Sequence, residues 1–234
     1  MAKKSTGCTI VIVGVVIVFL VVLIGRFISS SDEDTPATTQ PSATTEATAT
    51  SPPEVEIDLV AAQEQGLVSV SAAGRSAINF LSLSLASHSD DPLKITILPG
   101  TMFVAQTAGV QDMMVITKKT LSLSPHGSFE DVTVDTACAN MTLDVPERAD
   151  SLVLSTGAIP EDLAKLLALD DFQIATDLVQ QFAVWTITDN PARDGYVGIV
   201  SNGSGSGPTD EQIEQIKELF SLAAIPLDRY QALN

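Results

Sequence analysis

The 234-residue chain holds two cysteines, two histidines, one tryptophan and 12 basic residues against 29 acidic ones. Each scarcity excludes something. Two cysteines cannot build a disulfide-dense scaffold or a four-ligand zinc site. His88 and His126 both fall in turns and neither has a local cluster of partners, so no metal or acid–base centre is expected around them. A formal net charge of -17 repels phosphate backbones and anionic head groups, which argues against a nucleic-acid partner. Acidic pairs such as Asp90-Asp91 and Asp170-Asp171 sit where turns recruit aspartate for its own hydrogen bonding, not as spaced catalytic carboxylates.

What the chain has in quantity is apolar residues, 45% of the total, unevenly distributed. No charge lies between Lys4 and Arg26, and Ile10 to Ile24 is almost continuously aliphatic. At about 1.5 Å per residue this stretch covers about 30 Å, one bilayer core. Residues 1–28 are therefore read as a cytoplasmic tip and a transmembrane helix, with residues 9–25 in the membrane. Lys3 and Lys4 favour a cytoplasmic N-terminus and an extracytoplasmic remainder at the plasma membrane. A cleaved signal peptide is the rival reading, with small residues at Ser29 to Ser31, but Arg26 sits badly before a cleavage site.

Residues 29–54 are rich in Ser, Thr and Pro and have nothing to bury, as expected of a disordered stalk. From Val55 onward the chain carries 24 acidic and 9 basic residues, so almost all of the charge imbalance belongs to the part after the stalk.

Between residues 55 and 150 short alternating runs are separated by turn residues. Asp58 caps a short helix from Leu59 to Gln65 that stops at Gly66. Strands are expected around Val68–Val70 and Ile78–Leu85, with a phase slip at Phe80/Leu81 that signals a bulge. Others are expected at Leu93–Ile97, Met102–Val104, Met113–Ile116, Thr120–Leu123 and Phe129–Asp135. This spacing predicts an antiparallel β-sandwich. Residues 151–234 are expected to be helical, from Glu161 to Leu169, Ile174 to Thr188 and Asp210 to Ala223, the last capped by Thr209. In the middle helix Ile174, Leu178, Phe182 and Trp185 form one stripe, and Val179, Ala183 and Ile187 make the opposite face apolar too, which predicts burial on most sides. The fold class read from sequence is thus a β-sandwich followed by a small α-helical region, α+β, behind one N-terminal transmembrane helix.

Few residues carry chemistry. The Asn202 to Gly207 loop lacks both the dinucleotide spacing and a following Lys-Ser/Thr pair, so it is read as a connector and no cofactor is expected. Asn140-Met-Thr142 and Asn202-Gly-Ser204 match the N-glycosylation acceptor pattern. Cys138, beyond the last clear strand, is a lone cysteine on the proposed external side.

Gln181-Phe182-Ala183-Val184-Trp185 resembles the Thr-Gln-x-Ala-Ile-Trp motif of bacterial thioester domains of surface adhesins, with Gln180 standing where the motif has Thr. The resemblance implies a crosslink between Cys138 and the Gln181 side chain, formed with loss of ammonia and open to displacement by an amine. A broader likeness runs from Asp91-Pro-Leu-Lys-Ile-Thr-Ile-Leu-Pro-Gly-Thr-Met-Phe-Val104 through Gln111 to Val115 and on to Asn190. Over these segments the chain is similar to uncharacterised prokaryotic membrane-anchored surface proteins that pair a β-sandwich with a helical tail. The leading expectation is a non-catalytic binding, adhesion or envelope-interaction module facing an extracytoplasmic protein or glycan. Covalent attachment through a thioester is the second.

Overall fold

The computed structural model describes residues 53–196 and 207–234. The proposed membrane span and almost all of the stalk lie outside the described residues, as does Asn202. No helix among the described residues is long and apolar enough to cross a membrane.

The chain opens with β1 (Val55–Asp58), which runs directly into α1 (Leu59–Glu64). The Asp58 carboxylate accepts the Ala61 N–H at 2.9 Å, closing the first turn as its position before an apolar run foretold. Gly66 leaves the helix with φ of 69°. Eight more strands follow: β2 (Val68–Gly74), β3 (Phe80–Ser87), β4 (Leu93–Ile97), β5 (Met102–Ala105), β6 (Met113–Val115), β7 (Lys119–Leu123), β8 (Ser128–Cys138) and β9 (Ser151–Leu154).

The strands do not form a sandwich. Six of them close into a barrel in the order β2-β3-β8-β6-β5-β9, every neighbouring pair antiparallel. The other three form a separate mixed sheet, β1-β4-β7, in which β1 and β4 are parallel. Two short strands overturn the sandwich. β9 was expected to head the helical segment, but Ala72 and Ala73 of β2 pair with it on one side and Phe103 to Ala105 of β5 on the other. Its Leu152 and Leu154 are buried while Ser151 and Val153 face outward. β1 finds its partner, β4, far along the chain, which takes β4 out of the barrel.

Closure puts Leu81, Leu83 and Leu85 of β3 inside with Val134, Phe103 and Leu152, all at most 1% exposed. The irregularity of β3 lies against β8 between Leu83 and Leu85, a few residues beyond the slip expected at Phe80/Leu81. Gly74 is required where β2 meets the loop before β9, because a Cβ there would lie 2.3 Å from the Pro146 carbonyl oxygen.

The remaining helices are α2 (Glu161–Leu167), α3 (Asp170–Ile174), α4 (Asp177–Thr188) and α5 (Asp210–Leu222). α4 is buried continuously from Val179 to Thr186, on most sides as its composition predicts, although Leu178 of the expected stripe is exposed. It begins three residues later than expected, since Ala175 and Thr176 are extended and break the run after Ile174. α5 starts on a full capping box between Thr209 and Gln212. Behind it, Tyr230 Oη donates to Asp162 Oδ2 at 2.9 Å and ties the C-terminal segment to α2.

Candidate functional site

β8 outruns β3, and this creates the site. β3 begins at Phe80, opposite Asp135, whereas β8 continues to Cys138. Along an antiparallel strand, alternate residues turn their backbone polar groups to opposite neighbours. The Ala139 N–H donates to Asp112 O on the β6 side, and the Thr136 N–H donates to Asn79 O on the β3 side. Cys138 shares the phase of Thr136, so its N–H and C=O face the side where β3 has ended. Both are deeply buried and need partners.

Gln181 supplies them. From α4, which packs against β8, its Oε1 accepts the Cys138 N–H at 2.8 Å and its Nε2 donates to the Cys138 carbonyl at 2.8 Å. One side-chain amide takes the place of a missing strand residue. Gln181 is 2% exposed and Cys138 fully buried. The thiol turns toward the Ile78 carbonyl, 3.7 Å away, and lies 3.6 Å from Met113 Sδ, its cross-strand neighbour. Burial pushes the Cys138 thiol up to about 12, which keeps it protonated and a poor nucleophile. The pair that the motif joins is thus in contact, through the cysteine's backbone.

The rest of the motif is core. Gln180 Nε2 donates to the Phe172 carbonyl at 2.8 Å and links α4 to α3. Phe182 meets Trp185 and Tyr196 edge-on, with ring centroids 6.2 and 5.3 Å apart. Trp185 is 2% exposed, and its Nε1 has no acceptor among the described residues.

The other sequence candidates stand apart from this pair. Asn140 is half-buried, and its Oδ1 accepts the Asp112 N–H at 2.7 Å. His126 lies in the turn between β7 and β8, 3.0 Å from Asp90 Oδ1. Among the described residues no three His, Cys, Asp or Glu side chains converge as a metal would need.

A second feature escaped the sequence reading. The break at Ala175 swings Ile174 out of the stripe assigned to it, leaving it 83% exposed, with Leu178 at 40%. Across a groove of about 300 Å³ stands Leu222 of α5, 55% exposed. Val179 and Leu219 form the buried floor, and Asp171 and Glu218 the rim. A signal existed for Leu222. At 100° per residue it falls opposite Ile213 and just outside the edge, at Leu219, of the buried stripe of Ile213, Ile216, Leu219 and Phe220.

No family model, curated protein or solved structure matches the chain.

Proposed function

We propose that the chain is a non-catalytic binding module, held at the plasma membrane by residues 9–25 and presenting its β-rich domain on the extracytoplasmic side. The observation that carries this reading is the groove between α3, α4 and α5. Large aliphatic side chains left in water cost free energy that burial against a partner recovers, about 1.5–3 kcal/mol for each one fully covered. Ile174 and Leu222 stand exposed across this groove with Asp171 and Glu218 at its rim, an apolar pair bordered by polar groups that supports an interaction surface.

The test separates binding from folding. Ile174 and Leu222 already face solvent, so the double variant Ile174→Asp/Leu222→Asp should keep its unfolding free energy to within about 0.5 kcal/mol. The same variant should lose its partner. In mild detergent extracts of producing cells, the wild-type chain should sediment as a larger complex than the variant. Identical sedimentation would overturn the reading.

A second reading is favoured by the Gln181–Cys138 contact. Attack of the Cys138 thiol on the Gln181 carboxamide carbon would form an S–C bond, break the C–N bond and release ammonia, the thiol proton leaving with it. The Cys138 N–H already donates to the carbonyl oxygen that would carry the developing charge. Exclusion of water would protect the product, while the raised thiol value opposes the first step. Intact-mass measurement decides. A thioester makes the chain lighter by one ammonia, and Cys138→Ala restores the full calculated mass. Full mass in freshly isolated wild type sinks the reading.

A further inference from the structure

The groove also carries information about what fills it, and the inference here rests on the binding-module reading. Its walls are Ile174 and Leu222, and none of its nine lining residues is aromatic. A sugar ring would find no flat platform to stack on. Two carboxylates line the groove, Asp171 of α3 and Glu218 of α5, and no basic side chain does. Lys217, beside Glu218 on α5, pairs with Glu214 at 2.9 Å. A second copy would bring the same acidic rim against this one, and an anionic bilayer would be repelled in the same way.

We infer that the groove receives a segment of a partner protein in which large aliphatic side chains are flanked by lysine or arginine. The aliphatic side chain would fill the space between Ile174 and Leu222 above Val179 and Leu219. The flanking cations would face Asp171 and Glu218. This combines an apolar anchor, which sets affinity, with charges that orient the segment and reject acidic competitors.

The probe is a fluorescein-labelled peptide of repeated Leu-Lys-Lys-Leu units, titrated by fluorescence anisotropy against the full chain in phosphatidylcholine nanodiscs, with empty discs subtracted. Two control peptides replace Leu by Ser, keeping the charge, or Lys by Glu, keeping the apolar residues. The Leu-Lys peptide should saturate, and both controls should bind at least about tenfold more weakly, the scale of one desolvated aliphatic side chain. Leu222→Asp and Ile174→Asp should each weaken the Leu-Lys peptide by about tenfold although each adds a negative charge. That sign distinguishes an apolar contact from general attraction to an acidic protein. Val153→Asp, on the exposed face of β9, should change nothing.

Binding of the Ser peptide equal to that of the Leu-Lys peptide would overturn the inference, since charge alone would then suffice. If the Glu peptide binds as well as the Lys peptide and the groove variants abolish both, the basic flanks are wrong while the binding-module reading stands. If no peptide responds to the groove variants and the sedimentation of the chain is also unchanged by them, both fail. A concentration-dependent mass by light scattering that Leu222→Asp abolishes would assign the groove to a second copy and overturn the inference.

Discussion

Gln181 does the work of a residue that β3 does not have. Its amide closes two backbone hydrogen bonds at the buried end of β8, so its loss exposes a donor and an acceptor without water to replace it. Gln181→Ala should destabilise the domain by about 2–4 kcal/mol in chemical denaturation, from two orphaned groups and a small cavity. Gln181→Glu is more informative. A carboxylate can accept the Cys138 N–H but repels the Cys138 carbonyl, and burial raises its pKa. A raised value means that stability is kept at low pH and lost as pH rises through the folded value. The variant should therefore lie nearest to wild type in acid and fall away toward neutrality. Cys138 has the same sign. Its contribution is intact below the ordinary thiol value of 9.0 and is lost as pH climbs toward about 12. Alkylation by iodoacetamide at neutral pH should accordingly need unfolding, with a rate that tracks denaturant. Rapid alkylation of the native protein would show that the thiol is not sealed.

At the scale of elements, β9 decides the architecture with four residues. It bridges β2 and β5, and its two inward leucines complete the barrel wall. Leu152→Ala should cost about 2–5 kcal/mol, as a large-to-small change at a fully buried site. Val153→Ala, on the outer face, should stay within about 1 kcal/mol. Equal costs would mean that β9 does not close the wall.

This element also shows what was legible in the sequence. α1 and α5 were readable because Asp58 and Thr209 cap them locally. The strands from β2 to β8 were readable from alternation, and the burial of α4 on most sides from its composition. β1 and β9 were not, because a four-residue strand gains its meaning from partners far along the chain. The barrel closes through β9, and β1 belongs with β4 in the other sheet, so the sandwich expectation failed where local pattern ends. Gln181 could be paired with Cys138 only through a resemblance. Nothing in its surroundings announces that an amide will replace a strand. The outward turn of Ile174 was hidden for a similar reason, since Ala175-Thr176 carries no proline or glycine to mark a break.

The described domain is acidic, and Ile174 and Leu222 are the most exposed of its large aliphatic side chains. Near neutrality its excess negative charge works against compactness, but particular contacts tie the C-terminal segment to α2. Burial works against the charge of Asp162, yet the Tyr230 hydroxyl and then Arg229 override it and hold its carboxyl below the ordinary range. A lowered carboxylate stabilises the fold above the unfolded value and loses that contribution as pH falls through the folded one. Asp162→Asn should therefore cost about 1–2 kcal/mol at neutral pH and progressively less in acid, with Trp185 fluorescence as the reporter. An acid limb identical to wild type would remove this contact from the account.

The central claim is that the face made by α3, α4 and α5 is where the domain meets its partner. A photo-reactive benzophenone side chain placed at Leu222, at Ile174 or, as a control, at Val153 tests it in producing cells. Irradiation should give a discrete crosslinked product from positions 222 and 174 and none from 153. Crosslinks absent from the groove, or equally strong from the outer face of β9, would contradict it.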